Sequence, residues 1–245
     1  MKMKLVILFL SFCFVLSSGL NINFGLNKMF DVFGYTSNDI ADIIDEVPAT
    51  VADTPLPPPH DQVARMARFI AHNSDWAALA TIATRDPIVG FPFANVLSIS
   101  DGPVDNSTGV PYIYISPWEI SARDLSHNNK ASLTMSLAQV HHNSISISYL
   151  LYVKQSGYCA KMDYDPEDPR CAHVILTGEF IKLEPESEEE KFARDALFTR
   201  HPIMPDWPAG HHWFFAKIDI ENILILDWFG GAVTVPVQDY FEAKL

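Results

Sequence analysis

The sequence predicts a mainly β fold with α additions, a single antiparallel barrel carrying two or three packed helices. Three observations predict it. Short β-rich runs alternate with turns rich in Gly, Pro and Asp along most of the chain. One run alternates cleanly, with Ala131, Leu133, Met135 and Leu137 on one face and Ser132, Thr134 and Ser136 on the other. Roughly 185 residues follow the N-terminal leader, enough for one well-buried core, and no internal repeat divides them.

The chain opens with Lys2 and Lys4, an apolar run from Leu5 to Leu16, and then Ser17, Ser18 and Gly19. This order of basic, apolar and small residues is that of a secretory signal over 1–19, too short for a spanning helix. Residues 20–59 mix Asn, Asp and Gly with scattered apolar residues and end in TPLPPPH. They are expected to form a poorly ordered leader with a stiff polyproline spacer, ahead of one domain over 60–245. His60 to Asn73 place Val63, Met66, Ala67, Ile70 and Ala71 at helical spacing, with Asp61 in the first turn. Strands follow at Trp76 to Thr84, Phe93 to Ser100 and Val110 to Ser116, separated by RDPIVG and a polar loop around Asn106. A short helix is expected from Ile120 to Asn129, before the alternating strand. His173 to Leu183, Trp213 to Ile220 and Asn222 to Phe229 complete the strands. Pro185 suits the first turn of another helix, whose positive end would be matched by Glu186, Glu188, Glu189 and Glu190.

The stretch RHPIMPDWPAGHHWFFAK, Arg200 to Lys217, has a composition no repeat or amphipathic helix produces. Pro202, Pro205 and Pro208 each remove a backbone donor, so its first half is a rigid loop. His201, Pro202, Trp207, Trp213 and Phe214 then form a wall, either of a pocket or of a subunit interface.

Removal of the signal lowers the basic residues from 17 to 15 against 30 acidic ones, a net charge of about −15. Such a balance argues against nucleic-acid binding through a broad basic face. It suits a secreted protein or one of an acidic compartment. The two remaining cysteines, Cys159 and Cys171, have each other as partners in an oxidising lumen, and their bridge would order the acidic, proline-punctuated segment between them. Asn106-Ser107-Thr108 is an acceptor for N-glycosylation in a polar turn.

The residues offer little to catalysis. His211 and His212, like His141 and His142, are adjacent and would point to opposite faces of a strand, so no metal site is expected. There is no Gly-x-Ser-x-Gly elbow and no phosphate-cradling loop; Gly230-Gly231 reads as a turn. No catalytic residue is assigned.

In order along the chain, SDWAALATIAT, GFPFANVLSISDG, GVPYIYISP, ASLTMSLAQ, the cysteine pair, LFTRHPIMPDWPAGHHWFFAKIDI and ILDWFGG resemble the CREG family of secreted glycoproteins. The resemblance runs from about His60 to Tyr240. It implies a split β-barrel of the FMN-binding, pyridoxine-phosphate-oxidase-like type, a homodimer, and neither bound flavin nor enzymatic activity. It also implies a secreted or endolysosomal role in differentiation and lysosomal function, through a cell-surface or lysosomal sorting receptor. Flavin barrels hold the phosphate with Arg and Lys, because a dianion needs convergent charge and donors. Those positions fall at Asn95, Ser100 and Ser121, with Glu119 close by and Arg123 the one nearby cation. An FMN-dependent oxidoreductase using Arg123, or a small-ligand carrier, is therefore the alternative.

Two departures from the family stand out. The segment KIDIENILIL carries no glycan acceptor, which leaves Asn106, and VHHNSISISYLLYVKQ, Val140 to Gln155, interrupts the match. Since Val codons begin with GT and Gln codons can end in AG, this insertion is either a retained intron or a hairpin extension.

Overall fold

The computed structural model describes residues 56–140 and 157–245. The expected signal at 1–19, most of the leader and nearly all of the insertion lie outside the described residues. At the end of the expected proline spacer, Pro58 is buried.

Six strands close into an antiparallel barrel: β1 (Trp76–Ile82), β2 (Pro92–Ser100), β3 (Tyr112–Ile115), β4 (Lys130–Ser136), β5 (His173–Lys182) and β6 (Phe214–Leu226). Their order is β3-β2-β1-β4-β5-β6, and β3 pairs back onto β6 to complete the ring. A short seventh strand, β7 (Val233–Val235), pairs with the C-terminal part of β6. The edge of β6 is therefore divided: Phe214 to Lys217 bond to β3, and Ile223 to Ile225 bond to β7. Inward positions follow the period of two and supply Leu79, Ile99, Ile113, Leu133, Met135, Val174 and Leu176 to one core.

The sequence suggests two strands at Trp213 to Ile220 and Asn222 to Phe229, where the structure has one. Thr177 pairs with Asn222 but Gly178 with Ile220, so Glu221 is an extra residue in a bulge. The bulge shifts the parity of the strand, and Ile218, Ile220, Ile223 and Ile225 all become core residues.

Helix α1 (Val63–Asn73) packs Met66, Phe69 and Ile70 into that core. It starts two residues after Asp61, which therefore lies outside its first turn. Helix α2 (Ile120–His127) follows β3, and one turn, α3 (Tyr158–Lys161), precedes the bridge. Helix α4 (Glu188–Arg200) begins at Ser187, whose Oγ accepts from Glu190 N, rather than at Pro185. With Ala193, Ala196 and Leu197 it covers the outside of β3 and β6 as a second core. Helix α5 (Val237–Glu242), like β7 absent from the sequence expectations, buries Tyr240.

Val140, the first residue of the insertion, and Tyr158, just beyond its end, meet directly: Tyr158 N donates to Val140 O at 2.9 Å. Gly157 is needed there, since a Cβ on it would lie 1.8 Å from Ala138 O.

Gly178 faces the β6 bulge so closely that a Cβ would sit 1.9 Å from Asp219 O and 3.1 Å from Glu221 N. Both are backbone atoms and cannot rotate away. Gly178→Ala is therefore expected to lower the unfolding free energy by about 2–3 kcal/mol in urea titrations, with an unchanged slope.

Candidate functional site

The positions at which the resemblance expects a phosphate grip lie on β2 and at the start of α2. Asn95, half-buried on β2, donates through Nδ2 to Glu119 Oε1 at 2.7 Å and lies 3.2 Å from Ser121 Oγ. Glu119 is the N-cap of α2, and its Oε2 accepts from Ala122 N at 3.1 Å. Both carboxylate oxygens are thus engaged, one by the strand and one by the helix terminus, where the backbone donors would otherwise face an incoming anion. Asp124 fixes the helix in place. Its Oδ1 accepts from Thr84 N and Oγ1, each at 2.9 Å, and its Oδ2 from Arg85 Nη1 at 3.0 Å. Burial raises the Asp124 carboxyl, but those hydrogen bonds outweigh it and hold the group below its ordinary value.

Of the positions singled out in the sequence, Asn95, Glu119 and Ser121 come together and Ser100 does not. Ser100 is buried, donating to Gly102 O at 3.0 Å and accepting from Gly102 N. At Ser100 the side chain thus serves the turn that follows the strand. Arg123 is exposed on α2, and its carbonyl accepts from Ser126 Oγ. These residues do not fit a phosphate, because the Glu119 carboxylate takes the helix terminus and the Arg85 guanidinium is paired with Asp124.

The aromatic loop is neither a bare wall nor an extended rod. It folds into two 3-10 turns, Met204–Asp206 and Ala209–His211, with His212 in the left-handed region at φ 56°. Tyr114 on β3 is the hub: Trp213 stacks on it at 5.2 Å and Trp207 at 5.9 Å, while Phe198 meets it edge-on at 5.4 Å. Trp213 Nε1 donates to Pro208 O, Ser116 Oγ donates to His211 O, and His201 Nε2 lies 3.0 Å from Ile99 O. Met204 is buried in the second core, with Trp207 against it. Phe214 points the other way, toward the barrel core. Pro202 and Ile203 remain outside, and Trp118 packs beside His211 while more than half exposed. The loop is thus the lid of the second core through Met204 and Trp207, while Pro202, Ile203, Pro205 and Pro208 face outward.

Behind the loop lies a buried ionic cluster that the sequence did not announce. The Asp101 carboxylate, 1% exposed, is 2.6 Å from His72 Nδ1 and accepts from Ser107 Oγ at 2.6 Å and from Gly109 N at 3.0 Å. His72 Nε2 lies 3.0 Å from Val104 O. Arg200, at the end of α4, donates to Gly102 O and lies against the His72 ring. Arg68 donates to Ser107 O and Oγ and to the carbonyls of Tyr240 and Phe241. Burial raises the Asp101 carboxyl, yet His72, Ser107 and Gly109 together hold it below the ordinary value.

Cys159 and Cys171 form the expected bridge, with Cα atoms 5.5 Å apart, and both are buried. Asn106 is exposed at the tip of the loop closed by Asp101. Among the described residues, no group of three or more His, Cys, Asp or Glu is placed to hold a metal ion. Nor is any described helix long and apolar enough to cross a membrane.

A family model described as "CREG, beta-barrel" matches residues 58–242. The chain is similar to Protein CREG1 of Gallus gallus, 45% identical over 198 residues that cover 80% of this chain and 93% of that protein. Protein CREG1 of Homo sapiens is 45% identical over 191 residues, 78% of each chain. Among solved structures, a heme binding protein from Mycobacterium smegmatis aligns with a TM-score of 0.53 at 18% identity, covering 78% of this chain and 63% of that one. That likeness is one of fold, the split barrel.

Asp101→Asn is expected to destabilise the protein by about 3 kcal/mol at neutral pH, because His72, Ser107 and Gly109 lose their buried acceptor charge. A carboxyl held below its unfolded value stabilises above about pH 4, and that stability disappears as pH falls through the folded value. Urea midpoints measured from pH 7 to pH 3 should therefore fall more steeply in the parent than in the variant.

Proposed function

The chain belongs to the CREG family, and we propose that it is a secreted or endolysosomal glycoprotein without enzymatic activity, acting as a homodimer on a cell-surface or lysosomal sorting receptor. In that reading its role is in growth, differentiation and lysosomal function, and it uses no cofactor. The observation that carries it is Glu119. A flavin enzyme of this fold needs cations where the phosphate sits, and here a carboxylate occupies the helix terminus and binds Asn95. An incoming phosphate would meet like charge and would have to displace two hydrogen bonds.

The barrel exterior supports the dimer. On β1 the outward residues are Trp76, Ala78, Ala80 and Ile82; opposite them on β2 are Ser98, Val96, Ala94 and Pro92. None is charged in a chain with 30 acidic residues. Val96 is 62% exposed and Trp76 42%. An uncharged and largely apolar sheet face suits burial against a second copy.

Two measurements test the proposal. Titration of the purified protein with FMN should give no saturable quenching of flavin fluorescence at low micromolar concentration, whereas saturable quenching would sink the non-enzymatic reading. Light scattering at micromolar concentration should report a dimer, and Val96→Asp, which puts a charge on the open face, should report a monomer with unchanged circular dichroism. A parent monomer would count against the dimer.

A further inference from the structure

We propose that Asn106 accepts its glycan only before the loop of residues 101–110 closes, so that the folded protein is refractory to the transfer. The inference rests on the reading of the chain as a secreted glycoprotein. Its basis is a contrast within three consecutive residues: Asn106 faces out and the two hydroxyls that follow face in. Thr108, whose hydroxyl completes the acceptor motif, donates through Oγ1 to Asp101 O at 2.6 Å, and its N–H donates to the same carbonyl at 2.9 Å. Thr108 Oγ1 also accepts from Val110 N at 3.1 Å. Ser107 Oγ donates to Asp101 Oδ2 and is gripped in turn by Arg68 Nη2 at 2.8 Å. Asn106 N donates to Pro103 O in a tight turn. The carbonyl of Asn106 lies so close to Gly102 that a Cβ on Gly102 would be 1.9 Å from it.

A hydroxyl has one proton to donate. Recognition of the motif requires the hydroxyl two residues after the asparagine, and in the closed loop that proton is already committed inside the fold. Opening the loop to present it would strip Asp101 of Ser107 and Gly109, two of its three groups, at the cost of leaving a buried carboxylate half-satisfied. The transfer itself joins Asn106 Nδ2 to the anomeric carbon of a lipid-pyrophosphate-linked oligosaccharide. The anomeric carbon–oxygen bond breaks, its electron pair leaves on the pyrophosphate, and one amide proton is lost to a base of the transferase. Once attached, the glycan projects from an exposed asparagine beside Val104, itself 68% exposed, and leaves the Asp101 contacts in place.

The test uses the full chain in two arms. In the first it is translated directly into microsomes. In the second it is made without glycosylation, purified folded with its disulfide formed, and then offered to solubilised oligosaccharyltransferase with the same lipid-linked donor. An unstructured acceptor peptide in the same tube verifies enzyme activity. Intact-mass measurement is expected to show one glycan in the first arm, lost in Asn106→Gln, and none in the second. Equal occupancy of Asn106 in both arms would overturn the inference. Absence of the glycan from both arms would overturn the glycoprotein reading and the inference with it.

Discussion

The buried carboxylate of Asp101 joins pieces of chain that are otherwise far apart. His72 comes from α1, Ser107 and Gly109 from the loop ahead of β3, and through Arg68 and Arg200 the cluster reaches the C-terminal helix and the end of α4. Burying a charge costs several kcal/mol unless the remaining lone pairs are satisfied. Here both oxygens have partners, and the direction of the Asp101 shift says that those partners outweigh the desolvation. Apolar side chains in place of the cluster would hold the same elements together without fixing their register. Hydrogen bonds to named carbonyls, such as Arg68 to Tyr240 O, specify one arrangement of α5 on α1.

The barrel imposes a second constraint, and the two meet at the candidate site. Closure of β3 onto β6 sets where the chain leaves β3 and therefore where α2 begins. Asp124 then anchors α2 to the end of β1, which brings Glu119 against Asn95 on β2. The acid in the phosphate seat is thus held from two sides, by its own helix and by the strand that supplies Asn95. Movement of Glu119 alone would expose the donors of α2 and leave the Asn95 amide without its acceptor.

Much of this was legible in the sequence. The alternating run at Ala131 to Leu137, the helical spacing after Asp61 and the paired cysteines each pointed to a true element, because each depends on local pattern. Asn95 and Ser121, which the resemblance singles out, lie together beside Glu119. The misses share a cause. The bulge at Glu221 breaks the period of two, so one strand of 13 residues reads as two. β7 has three residues and exists only because β6 offers it a free edge. The Asp101 cluster draws on residues up to 173 positions apart, as Arg68 and Phe241 are, and no local pattern encodes such a distance. Ser100, the third position that the resemblance singles out, lies apart from Asn95 and Ser121, its side chain bonded to the turn at Gly102.

The aromatic loop has an internal use, whatever it offers to a partner. Two Trp and three Pro in a short stretch suggest a binding wall, yet the face of each indole is largely spent on Tyr114 and on the other indole. Stacking of this kind contributes about 0.5–1.5 kcal/mol per pair beyond area burial, and it is gained whether or not a ligand or partner ever arrives. The prolines then act by limiting the unfolded chain, which makes the lid cheaper to order. What is left for a partner is the rim: Trp118, Ile203 and the prolines themselves. The uncharged face of β1 and β2, by contrast, satisfies no internal need, since the core residues of those strands point the other way. An acidic chain that keeps two adjacent strands free of charge on their outer side places its strongest structural case for association there, with the loop contributing at most an edge.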